Sequence, residues 1–104
     1  MEEMWINMGS ESFLQSTQND RNAVILDVRS AEEFGDGHVH GAINIPFTKK
    51  NEFLSLDKKK SYYLYCHTGG RSSLVAHFMS KAGFPKVINL REGIQYWPVE
   101  ELQA

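Results

Sequence analysis

Short apolar runs separated by longer amphipathic stretches set the rhythm of this chain. Ala23-Val24-Ile25-Leu26-Asp27-Val28 is nearly continuous and rich in β-branched residues. That is the pattern of a strand buried on both faces of a parallel sheet, since burial on both sides removes the apolar/polar alternation of a half-exposed strand. Tyr62-Tyr63-Leu64-Tyr65, running into Cys66, and Val87-Ile88-Asn89-Leu90, after the Gly83-Phe84-Pro85 break, have the same character. Two shorter candidates are Trp5-Ile6-Asn7 and Ala42-Ile43-Asn44, the latter lying just before Pro46.

Helical patterns lie between these runs. The clearest sets Leu74, Val75, Phe78, Met79 and Ala82 on one stripe, starts just after Cys66, and has Gly83 placed to end it. Ser30-Ala31-Glu32-Glu33 matches a capping box opening a short helix, and Ser10 or Ser12 is positioned to cap a helix carrying Phe13 and Leu14. Asn51 to Leu56 reads as another short helical turn. Strands alternating with helices through short loops predict an α/β fold: a central, mostly parallel sheet of about five strands with helices on both faces. Ligands of such folds collect outside the carboxyl ends of the strands, where Cys66 ends its own.

With 104 residues the chain fits one domain, read as spanning 1–104, with no linker, repeat or low-complexity segment. An apolar fraction of 41%, a charged fraction of 23% and a net charge of −2 carry no nucleic-acid footprint. Lys49-Lys50 and Lys58-Lys59-Lys60 read as solvated faces able to steer an anionic donor or an acidic partner. The first 20 residues, with Glu2, Glu3, Glu11 and Asp20 among scattered apolar positions, have neither a signal-peptide pattern nor a membrane span. A cytoplasmic location and no membrane partner are the expectation, and a single cysteine, unable to form an internal disulfide, agrees with a reducing compartment.

A cysteine between a strand and a helix start has two readings, a small core residue or a nucleophile. The surrounding residues favour the second. Unpaired N–H groups at the helix start stabilise an anion, and a thiol of ordinary pKa near about 8.5 ionises more readily there. Gly69 and Gly70, lacking a β-carbon, are suited to positive φ and to turning N–H groups inward as a nest. Thr68 and Ser72 offer hydroxyls. Arg71 offers a permanent charge for an oxyanion or for bracing the loop.

Other chemistry-bearing residues take structural readings. His38 and His40 lack a second cysteine to complete zinc ligation, so no metal site is expected and the pair is assigned to bonding the turn at Gly35-Asp36-Gly37. Asp27 ends a buried strand, with Arg29 expected to pair with Glu33. Phe84, Tyr96 and Trp97 read as core or near-core aromatics.

Leu26-Asp27-Val28-Arg29, then Glu32-Glu33-Phe34, Gly37-His38-Val39 and Gly41-Ala42-Ile43-Asn44-Ile45-Pro46, resemble the amino-terminal signature of the rhodanese domains, the thiosulfate sulfurtransferases. Cys66 to Arg71, followed by Ser72, is similar to their Cys-x-x-Gly-x-Arg active-site loop, and Val87 to Leu90, Gly93 and Trp97 resemble their carboxy-terminal signature. The chain departs from the common pattern at His67, where many active members carry Arg, and at Glu92, where Gly is frequent.

The resemblance implies a rhodanese-like fold, catalysis by Cys66 through a persulfide, and substrate binding by His67, Thr68, Gly69, Gly70, Arg71 and Ser72, with no cofactor. The implied donor is a thiosulfate-like anion and the implied acceptor is cyanide, a small thiol or a protein cysteine. A persulfide carrier or interaction module with little activity on thiosulfate is the alternative. The four residues between Cys66 and Arg71 match the sulfurtransferase loop rather than the longer loop of the related phosphatases.

Overall fold

The computed structural model describes residues 5–98 and 101–104. Glu2 and Glu3 of the amino-terminal stretch lie outside them. The elements run β1 (Trp5–Met8), α1 (Ser10–Asn19), β2 (Ala23–Asp27), α2 (Ala31–Asp36), β3 (His38–Val39), β4 (Ile43–Asn44), α3 (Lys50–Leu54), β5 (Ser61–Tyr65), α4 (Gly70–Lys81), β6 (Val87–Leu90), a 3-10 turn (Gly93–Tyr96) and β7 (Leu102–Gln103).

Five strands form a sheet in the order β1-β6-β5-β2-β4, every adjacent pair parallel. All five are the strands predicted from apolar runs. The sequence pattern does not reveal β3 and β7, a two-residue antiparallel pair in which His38 faces Gln103 and Val39 faces Leu102. Strands this short are defined by their partner, which lies 60-odd positions away, and leave no periodicity of their own.

Burial on both sides explains the composition of the central strand β5, buried at every position. Tyr62 and Leu64 face a core shared with Phe53 of α3 and Val75, Ala76 and Met79 of α4. Tyr63 and Tyr65 face the other core, where Phe13 of α1 meets Ile94 and Trp97. Phe13 packs edge-on against both Tyr63 and Trp97, with ring centroids 5.5 and 6.2 Å apart. Helices thus cover both faces, as a parallel sheet requires. Among the described residues, no helix is long and apolar enough to cross a membrane.

Several sequence expectations change. Helix α1 begins at Ser10 itself with Gly9 as its cap, so neither Ser10 nor Ser12 caps it, and the Ser10 hydroxyl donates to Glu92 Oε1 instead at 3.4 Å. Helix α3 starts one residue earlier than expected and ends at Leu54, with Ser55 and Leu56 closing its last turn through bonds to Glu52 and Phe53 carbonyls. Leu74 is 65% exposed rather than part of the buried stripe of α4, and Tyr96, at 75%, stands outside the two cores that Phe84 and Trp97 enter on opposite faces of the sheet. The capping box is present: Ser30 Oγ accepts from Glu33 N–H at 3.1 Å, while the Ser30 N–H donates to Glu33 Oε1 at 3.0 Å.

Candidate active site

The sheet order reverses at its centre. The chain leaves β2 towards β4 on one side and leaves β5 towards β6 on the other, so the crevice at the carboxyl ends of β2 and β5 is the switch point where such folds bind ligands. Val28 N–H bonds the Tyr65 carbonyl there at 3.0 Å, holding the two strand ends together. Cys66 follows immediately.

The Cys66 sulfur lies at the centre of a ring of donors. Gly69 N–H reaches Sγ at 3.1 Å, and the Ser72 N–H and hydroxyl each donate to it at 3.4 Å. Burial pushes this thiol up, but the bonds from the Ser72 hydroxyl and from the Ser72, Gly69 and Thr68 N–H groups outweigh it and hold Cys66 below the ordinary thiol range. The thiolate is therefore reached more readily than in an ordinary cysteine, although the residue is only 1% exposed. Helix α4 starts at Gly70, so its dipole adds in the same direction.

The loop is shaped by the turn after β6. Gly69 takes φ 99°, and a β-carbon there would collide with the Arg91 carbonyl. Gly93, at φ 70°, would in the same way collide with the His67 carbonyl. Glycine at both positions lets two backbone segments touch, after which Ile94 N–H bonds the Cys66 carbonyl at 3.0 Å and Gln95 N–H bonds that of His67 at 3.2 Å. The expected pair of positive-φ glycines becomes one, because Gly70 is already the first helical residue and no longer free to turn.

Arg71 braces the loop. Its two terminal nitrogens donate to the two Glu33 oxygens at 2.9 and 3.0 Å, a bidentate pair joining α4 to α2. Hydrogen bonding from Arg71, with help from the Ser30 N–H, lowers the Glu33 carboxyl to about 2 against the opposing effect of burial. Glu33 thus pairs with Arg71 and not, as the local sequence suggests, with Arg29. Arg29 instead turns back on Asp27, Nη2 to Oδ2 at 2.6 Å, with a further bond to the Gly37 carbonyl at 2.7 Å. Asp27 is completely buried and takes the nearest cation, which leaves Glu33 for Arg71. Asn44 ties the Asp27 and Arg29 carbonyls together at 3.0 Å each.

Of the predicted loop residues, Cys66, Gly69 and Ser72 are buried together, whereas His67, Thr68 and Gly70 are exposed around the opening. His38 bonds within the predicted turn, its Nδ1 2.9 Å from the Phe34 carbonyl and its ring stacked on Phe34 at 3.7 Å.

Residues 10–100 match the sequence profile described as the Rhodanese-like domain. The putative sulfur carrier protein YrkF of Bacillus subtilis is 38% identical over 88 residues, covering 84% of this chain and 48% of that protein. The thiosulfate sulfurtransferase GlpE of Coxiella burnetii is 32% identical over 78 residues, covering 74% of this chain and 73% of that one. The chain thus spans about half the length of the first of these relatives. A crystal structure of a rhodanese-like domain protein from Staphylococcus aureus superposes with a TM-score of 0.83 and 26% identity, covering 93% of this chain and 95% of that one.

Proposed function

This chain belongs to the rhodanese-like domain family, whose chemistry is sulfur transfer, and from that premise we propose that it moves a sulfane sulfur through a persulfide on Cys66. The observation that carries the reading is the ring of three donors on a buried sulfur whose thiol is held low.

With thiosulfate as donor, the Cys66 thiolate attacks the outer sulfur, the sulfur–sulfur bond of the donor breaks, and sulfite leaves with that bond's electron pair. Cys66 then carries a terminal sulfur anion, which the loop N–H groups around Sγ are positioned to stabilise. A nucleophilic acceptor, either cyanide or a thiolate, takes the terminal sulfur and regenerates the Cys66 thiolate. No general base is assigned, because the donors on Sγ favour ionisation of the attacking thiol. In this scheme Gly69 and Ser72 hold the sulfur, Arg71 braces the loop, and His67, Thr68 and Gly70 border the opening through which donor and acceptor enter.

A carrier role, passing persulfide sulfur between proteins with little use of thiosulfate, is the second reading. Two observations favour it: the similarity to YrkF, and the full engagement of the loop's arginine with Glu33, which compensates its charge towards a dianionic donor.

The test of the persulfide is the intact mass. Thiosulfate should add one sulfur atom to the protein and cyanide should remove it as thiocyanate, while Cys66→Ser should do neither; turnover in that variant overturns the scheme. Efficient loading from a protein persulfide, with saturation by thiosulfate only at unphysiological concentration, would select the carrier.

A further inference from the structure

Helix α4 leaves the Cys66 loop at Gly70, and Gly70, Leu74, His77 and Lys81 are all exposed. Residues three and four apart share one side of a helix, so this stripe starts at the loop and runs away from it along α4. Leu74, at 65% exposure, is its apolar member. It borders a groove of about 390 Å³ between α3 and α4, with Phe47, Phe53 and Phe78 in its walls and Lys50 and Lys81 beside them. Lys50 leans over it, its Nζ 5.8 Å from the centre of the Phe78 ring. Among the described residues none of those lining the groove is acidic, although the chain as a whole has a net charge of −2.

An exposed leucine over an aromatic groove gains by being covered, and two lysines at the edge decide the charge of what covers it. Small sulfur donors have no use for such a groove. We propose that it docks an acidic segment bearing large aliphatic side chains, belonging to the protein that exchanges sulfur with Cys66. The proposal rests on the persulfide reading for the partner's role, but the binding itself does not require transfer. The lysine edge also orients an acidic segment, with the partner's own cysteine directed along the stripe towards the loop.

The test uses two labelled synthetic peptides of alternating leucine and glutamate, or leucine and lysine, each ending in a serine that replaces the cysteine of the transfer version. Fluorescence anisotropy with the full chain should show the acidic peptide binding, and binding should weaken as salt rises. Leu74→Ser should weaken it about tenfold while thiosulfate–cyanide turnover is unchanged. The double variant Lys50→Glu with Lys81→Glu should lose the acidic peptide about fivefold and gain the basic one, a gain that misfolding cannot produce. Equal binding of the two peptides, or a preference that survives the double reversal, overturns the proposal. So does a dimer of the free protein that Leu74→Ser dissociates, which would make the occupant a second copy. Failure of Cys66 to take up sulfur from either thiosulfate or a protein persulfide, while peptide binding follows the expected pattern, would instead count against the persulfide reading.

Discussion

At the scale of single residues, the site depends on how few atoms control one sulfur. Ser72 contributes both its N–H and its hydroxyl to Cys66, and Ser72→Ala removes only the hydroxyl, since the N–H belongs to the backbone. Alkylation of Cys66 followed against pH should then shift its midpoint upward, because the thiolate loses a donor that the neutral thiol needs less. An unchanged profile would show that the backbone donors suffice. Cys66 and its loop were legible in the sequence, because a strand end, two glycines and a helix start are local features. The identity of the donors was less so. Thr68 was expected to offer its hydroxyl, yet it is the Thr68 N–H that helps to hold the thiol down. Which atom of a flexible loop turns inward depends on what the loop rests on.

At the scale of elements, what it rests on is the turn after β6. Gly93 carries the second tight approach, and its φ of 70° combined with contact to the His67 carbonyl leaves no room for a side chain. Gly93→Ala should destabilise the protein by about 2 kcal/mol or more, read as a lower denaturant midpoint with an unchanged slope. A midpoint within error of the parent would mean that the two turns separate easily. The sequence marks Gly93 only as a punctuation residue and, through the family resemblance, as part of a signature. Its partner is 26 positions earlier, and nothing between them advertises the contact. Leu74 shows the converse error: its spacing matches the buried stripe of α4, but α3 is only five residues long and leaves that edge uncovered.

At the scale of the whole molecule, the Glu33–Arg71 pair joins the helix after β2 to the helix after β5 across the sheet's switch point. The folded carboxyl titrates at about 2 against an ordinary 4.5, so its contribution to stability is present above the ordinary value and is lost as pH falls from there towards 2. Both side chains are about one-third exposed, so solvent screening limits the pair to roughly 1 kcal/mol. Melting temperatures of the parent and Glu33→Gln should differ at pH 7 and converge only as the pH falls towards 2; a gap that stays constant over that range would show that the carboxylate charge contributes nothing. Five parallel strands, helices on both faces and a cysteine at a strand end are all legible along the chain, because apolar runs, caps and glycine punctuation act over a few residues. Only the tertiary structure decided that Arg29 closes on Asp27 and Arg71 on Glu33, that the turn at Gly93 supports the loop, and that Leu74 faces solvent. Ion pairs and backbone approaches of this kind are chosen by competition among groups far apart in the chain, and the strand order determines which of them meet.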